Sequence, residues 1–134
     1  DWAKNKPEVY FLGYTPHDEC LSIVQNGEFV VFPSIWYEGC SMVEIEAQAL
    51  GKGIVATDLG FSVEAIKNGY NGYKVPLGDV DGFVKIIKTL WKDPEKCLEI
   101  GANARQDYAQ KYRPEDNYRQ LLAIYQQVCV PSED

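Results

Sequence analysis

The reading of this chain turns on residues 30–50, Val30-Val31-Phe32-Pro33-Ser34-Ile35-Trp36-Tyr37-Glu38-Gly39-Cys40-Ser41-Met42-Val43-Glu44-Ile45-Glu46-Ala47-Gln48-Ala49-Leu50. An unbroken apolar run, Phe29 to Phe32, opens it and reads as a buried strand. Pro33 then ends the ladder, because it has no N–H to donate. A loop carries Trp36, Tyr37, Glu38 and Gly39. Ser41, with Glu44 three residues on, fits the capping box of a helix start. The order is strand, loop, helix. In a parallel α/β sheet such a loop lies at the carboxyl end of its strand, where those folds bind ligands. The helix start adds N–H groups without intrahelical partners and a partial positive charge. Gly39 lets a ligand approach the backbone. These features together suit an anion or a phosphate.

The helix itself singles out a carboxylate. At about 100° of turn per residue from Met42, Val43, Ala49 and Leu50 share its side, and Glu46 falls in the middle of that sector. Glu44 and Gln48 point the other way. The apolar sector is expected to face the core, so Glu46 is the carboxylate expected on the buried face, where it needs hydrogen-bond donors. A backbone amide or an arginine of the core would serve. A ligand would serve as well, since an ionised carboxylate can accept two hydroxyl hydrogens at once, such as those of a ribose.

Outward from this stretch the chain keeps alternating. Val9 to Gly13 reads as a short strand, followed by a Tyr14-Thr15-Pro16 loop and a helix over Asp18–Gln25 that stops at Asn26-Gly27. His17, the single histidine, reads as a surface or capping residue. Beyond the central helix, Gly51-Lys52-Gly53 turns into a strand over Ile54–Thr57. Asp58-Leu59-Gly60 is a loop, Ser62 is the expected cap of a short helix through Ile66, and Tyr73–Val75 is a last strand before Pro76. Three helices finish the chain: one capped by Asp79 or Asp81, one opened by Asp93-Pro94, one opened by Pro114. Tyr118, Leu121, Leu122, Tyr125 and Val128 form one stripe of the last, a core or partner face. The alternation predicts an α/β fold, a Rossmann-like parallel sheet with flanking helices.

Composition sets outer bounds. A length of 134 residues suits one domain or part of one. Twenty acidic against thirteen basic residues give a net charge of -7, which weighs against nucleic acid as a partner. A single nucleotide in a local pocket is not governed by that global sign. Cys20, Cys40, Cys97 and Cys129 are scattered with no C-x-x-C pair, so neither a zinc site nor a disulfide framework is expected. Reduced core thiols in a cytoplasmic protein are the expectation. Cys40 lies near a helix start, which lowers a thiol pKa, but it reads as a small loop residue. No stretch is long and apolar enough to cross a membrane, and no signal peptide opens the sequence. The opening Asp1-Trp2-Ala3-Lys4-Asn5-Lys6-Pro7 reads as the start of a piece cut from a longer protein.

Glu38, seven intervening residues and Glu46, followed by Ala47, Ala49 and Gly51, resemble the signature of the group-one retaining glycosyltransferases of the GT-B architecture. The likeness continues in order through Phe11-Leu12-Gly13, Phe32-Pro33-Ser34, Gly53-Ile54-Val55-Ala56-Thr57-Asp58, Gly60, Glu64 and Asn68-Gly69-Tyr70-Asn71-Gly72. The ordered set covers the chain from about Val9 to the last helix. It implies the C-terminal, nucleotide-sugar-binding domain, without its first strands and without the N-terminal acceptor domain.

The resemblance implies transfer of a sugar from a nucleotide diphosphate sugar to a carbohydrate or lipid-linked acceptor, with retention and with neither cofactor nor metal. Cell-surface polysaccharide assembly is the implied setting, in the cytoplasm or at the membrane periphery. By motif position Glu38 would hold donor-sugar hydroxyls near the anomeric centre; by itself it reads as a solvated loop carboxylate. Glu46 would hold the ribose, the Gly39-Cys40-Ser41-Met42 amides part of the diphosphate, and the Gly13, Tyr14 and Thr15 loop the base. The sequence departs from the family at Cys40 and Ser41, where an aromatic residue and a glycine are common, and Ser41 narrows the space beside the sugar. If the strand order is 3-2-1-4-5-6, the absent strands belong between Val9–Gly13 and Phe29–Phe32. Rearranged pairing, or pairing with another copy, is then expected at the open edge, and no transfer activity from the piece alone. A sugar-nucleotide epimerase of the same architecture and a non-catalytic interaction domain are the other two readings.

Overall fold

The computed structural model describes residues 3–129; Asp1 and Trp2, at the head of the opening segment, lie outside them. Three strands, β1 (Phe29–Phe32), β2 (Gly53–Thr57) and β3 (Gly72–Val75), form one parallel sheet in that order. Val30 pairs with Ile54, and Val55 with Tyr73. Parallel neighbours need a crossover. Helix α2 (Met42–Ala49) supplies it between β1 and β2, and α3 (Phe61–Ala65) between β2 and β3. Helix α1 (His17–Asn26) precedes β1; α4 (Val80–Trp91), α5 (Pro94–Lys111) and α6 (Pro114–Val128) follow β3.

All five residues of β2 are buried, which is why its sequence shows no polar alternation. Its side chains part to opposite faces. Ile54 and Ala56 meet Ala47, Ala65 and Ile66 on the α2–α3 side. Val55 meets Val75, Leu90, Cys97 and Ile100 on the α4–α5 side. Helix α5 also runs beside α2. Gly101 lies so close to the Gly51 carbonyl that a Cβ would overlap it, and the Arg105 guanidinium donates to the Ala49 carbonyl at the end of α2. Asp79 and Asp93 cap α4 and α5, accepting from the Gly82 and Lys96 N–H groups at 2.9 Å each.

Four sequence expectations are corrected here. First, Val9–Gly13 is not a strand: the sheet has three strands, not four, and β1 pairs with β2 alone. An extended apolar segment becomes a strand only against a neighbour, and Tyr10, Phe11 and Leu12 instead remain exposed. No rearranged pairing forms at that edge among the described residues. Second, only Cys97 of the four thiols is buried; Cys20, Cys40 and Cys129 are exposed. Third, Ser62 does not cap α3. Gly60 holds the cap position with φ +58°, and the Ser62 hydroxyl donates to Glu44 Oε1 at 2.7 Å.

The fourth correction concerns α2. Its inward face is Ser41, Glu44, Ala47 and Gln48, whereas Met42 and Val43 are exposed. Small Ala47 against β2 sets the rotation, so the polar Glu44 and Gln48 share its buried stripe and Glu46 turns away from the core. Helix periodicity fixes which residues share a face, not which face finds a partner. Glu44 Oε2 and the Gln48 amide have no hydrogen-bond partner among the described residues. Burial pushes the Glu44 carboxyl up from its ordinary value; the Ser62 and Ser41 hydroxyls pull it back, and the negative Glu38 raises it further.

Two predictions follow from this packing. Gly101→Ala should cost about 1–3 kcal/mol in urea unfolding, the usual penalty for forcing atoms into a filled contact; unchanged stability would contradict the close approach. The folded state holds the Glu44 proton more tightly than the unfolded chain, so this residue's contribution is fully present below its ordinary pKa of 4.5 and lost as pH rises through the raised folded value. Wild-type stability measured against Glu44→Gln should therefore fall as pH rises above the ordinary value of 4.5, other groups cancelling in the comparison. A difference that stays flat or rises would refute the inward carboxyl.

Candidate functional site

The loop between β1 and α2 leaves the sheet at its carboxyl edge. The Ser34 hydroxyl accepts the Trp36 N–H at 3.2 Å, a local turn that throws Ile35, Trp36 and Tyr37 outward. Glu38 is held differently. Its carbonyl accepts the Phe61 N–H at 2.8 Å. Gly60, the cap of α3, presses against the same peptide: a Cβ there would lie 2.6 Å from the Glu38 oxygen and 2.9 Å from its nitrogen. Only a residue without a side chain tolerates both that contact and a φ of +58°. Two carboxyl-edge loops, one from β1 and one from β2, are thereby joined backbone to backbone. Glu38 is half-buried at the junction.

Gly39 and Cys40 are exposed, and nothing lies within 4 Å of where a Gly39 Cβ would stand. The space above this backbone is open, as expected. Ser41 is the N-cap of α2, its hydroxyl accepting the Glu44 N–H at 3.4 Å. That is half of a capping box; the Glu44 carboxylate has gone to Ser62 instead. Met42 is exposed at the helix start. A groove of about 340 Å³ runs beside it, with Cys40, Met42 and Ile45 on one wall and Lys111, Tyr112 and Pro114 on the other. The Tyr112 ring lies 5.9 Å from that of Phe61. Burial raises its hydroxyl pKa, and the neighbouring Asp107, Cys40, Glu44 and Glu64 add to the rise. A second cavity, about 140 Å³, lies among Pro33, Ile35, Thr57 and the Leu77–Val80 turn.

Glu46 projects from the side of α2 that the core leaves uncovered. Its side chain is 29% exposed, and Oε1 lies 3.5 Å from Nε2 of His17, the first residue of α1. The sequence reading missed this partner, because nothing local says that the start of α1 lies beside the middle of α2. Gly13, at φ +68° in open space, and Tyr14, 97% exposed, lead into it. Thr15 turns back to the Gly13 carbonyl at 3.5 Å. The expected site residues thus form two groups. Glu38, Gly39, Cys40, Ser41 and Met42 make one continuous rim; Glu46 stands with His17, close in sequence to Gly13, Tyr14 and Thr15. Gly60, Phe61, Ser62, Lys111 and Tyr112 complete the surroundings. Of these Gly60 belonged to the sequence pattern and Ser62 was read as a helix cap; Phe61, Lys111 and Tyr112 carry no local signal. Among the described residues no group of three or more His, Cys, Asp or Glu side chains is placed to hold a metal ion, and no helix is long and apolar enough to cross a membrane.

Comparison with known proteins bears on this arrangement. The family described as glycosyl transferases group 1 matches residues 2–107. An N,N'-diacetylbacillosaminyl-diphospho-undecaprenol alpha-1,3-N-acetylgalactosaminyltransferase of Campylobacter jejuni is 32% identical over 124 residues, 92% of this chain and 32% of that protein. Among solved structures, sucrose-phosphate synthase of Thermosynechococcus elongatus superposes with a TM-score of 0.83 at 25% identity, over 89% of this chain and 30% of that one. The Anabaena protein HepE in complex with UDP does so with a TM-score of 0.75 at 25% identity, over 78% of this chain and 29% of that one. The chain spans about a third of the length of these relatives. With its family match, its parallel sheet and the Glu38–Glu46 loop and helix at the carboxyl edge, the chain belongs to the group 1 glycosyl transferases.

Proposed function

We propose that this chain is the donor-binding part of a C-terminal domain, in an enzyme that moves a sugar from a nucleotide diphosphate sugar to an acceptor with retention at the anomeric carbon. The observation that carries the reading is the clamp on Glu38, whose carbonyl is fixed by the Phe61 N–H at 2.8 Å while Gly60 abuts its peptide. A carboxylate meant to orient hydroxyl groups gains from a rigid backbone, because orientation is most of what it contributes. Glu38 would accept hydroxyls of the donor sugar. Glu46 would accept those of the ribose, for its contact with His17 uses one oxygen and an ionised carboxylate has room for several donors. The open backbone over Gly39, Cys40, Ser41 and Met42, at a helix start, would face the diphosphate. The loop of Gly13, Tyr14 and Thr15 would lie near the base.

UDP in the complex of the Anabaena neighbour supports a nucleotide sugar as donor. The Campylobacter relative's name, which carries a diphospho-undecaprenol, supports a lipid-linked acceptor. Assembly of cell-surface polysaccharide, in the cytoplasm or at the membrane periphery, would be the setting. Acceptor contacts would belong to an N-terminal domain, so the chain alone is expected to show no turnover.

Two substitutions in the intact protein test these roles. Glu46→Ala should weaken donor binding by about 1.5–3 kcal/mol, the worth of a hydrogen bond to a charged group, as read by calorimetry; an unchanged affinity removes Glu46 from the ribose site. Glu38→Gln should lower turnover about 10- to 100-fold. Full activity in that variant would end the reading of Glu38 as a donor-sugar ligand.

A further inference from the structure

We propose that Glu44 and Ser62 form a buried brace whose task is to hold the Glu38 peptide in place, which makes both of them positioning residues; the bearing on sugar transfer rests on the role proposed above for Glu38. Glu44 has no exposed surface and Ser62 only 4%, so neither can touch a substrate. A carboxylate in such a place is costly unless something holds it. An apolar side chain would fill the inner face of α2 without that cost, and Ala47 on the same face does so. The side chain present instead reaches a hydroxyl eighteen residues further along, at 2.7 Å.

The position of that hydroxyl gives the contact its meaning. Ser62 directly follows Phe61, whose N–H holds the Glu38 carbonyl. Glu38 is therefore tied twice to one helix. Along the chain it reaches α2 through Gly39, Cys40 and Ser41, with the Ser41 hydroxyl accepting the Glu44 N–H. Through space it reaches the same residue of α2 by way of Phe61, Ser62 and the Glu44 carboxylate. The two routes close a ring around the open backbone of Gly39 and Cys40. Helix α3 has only five residues and no side-chain cap, so by itself it is a poor anchor. The link from Ser62 to the longer α2 secures its first turn and, with it, the Phe61 N–H.

Amide hydrogen exchange of the isotopically labelled 134-residue chain, without any nucleotide sugar, tests the brace. Ser62→Ala and Glu44→Ala should each speed exchange of the Phe61 amide about tenfold or more, while Val55 and Ala56 in β2 change by less than about twofold. Glu44→Gln, which keeps an acceptor for the Ser62 hydroxyl, should leave Phe61 protected. If Phe61 is unaffected in both alanine variants, or speeds up only as much as β2 does, the brace is refuted and the contact is ordinary packing. Should Glu44→Ala fail to fold, Ser62→Ala against Glu44→Gln decides the matter alone. In the intact protein, Ser62→Ala should lower kcat about tenfold with donor KM within about twofold, whereas the separate Glu44→Gln variant should keep most of the wild-type kcat. A local exchange effect together with a fully active Glu38→Gln variant would leave the brace standing and remove the donor role of Glu38.

Discussion

Two parallel strands cannot be joined by a tight turn, and this constraint organises the molecule. Because β1 and β2 run the same way, the chain must cross back through α2; because β2 and β3 do likewise, it crosses again through α3. Both crossovers begin at the same edge of the sheet. The loops that open them, one carrying Glu38 and one ending in Gly60, have to meet there. The backbone contact between them is a consequence of topology, and its closeness depends on glycine at position 60.

The same constraint explains the core. A strand flanked by parallel neighbours and covered on both faces has no side left for polar residues. Gly53-Ile54-Val55-Ala56-Thr57 carries none bulkier than threonine. Its glycine admits Ile100 from α5 on one side, and its alternate residues separate the helices into two layers.

Features settled within a few residues were legible in the sequence. Asp79, Asp93, Pro94 and Pro114 start helices by local chemistry; β1 and β2 announced themselves as apolar runs, and β3 as a short stretch between Asn71-Gly72 and Pro76. The rim of Glu38 to Met42 was legible too, since strand, proline, glycine and cap occur in one continuous stretch. What was not legible needed a partner from elsewhere. Val9–Gly13 has the composition of a strand but no ladder to join. The inward face of α2 was decided by how Ala47 seats on β2, and Glu44 could be buried only because Ser62 waited there. Neither fact has a trace in the spacing of residues 42–50. Likewise, Ser62 occupied a place where a cap was expected, while Gly60 and the Glu38 peptide made a different entry to α3.

The junction at Glu38 also bears on how such a chain can diverge. Residues bound into it cannot change length on one loop without disturbing the other. Just ahead of it, Ile35, Trp36 and Tyr37 face water, 81%, 75% and 72% exposed. Exposed side chains in a loop carry little of the packing, so a substitution in that three-residue span leaves the junction beside it intact.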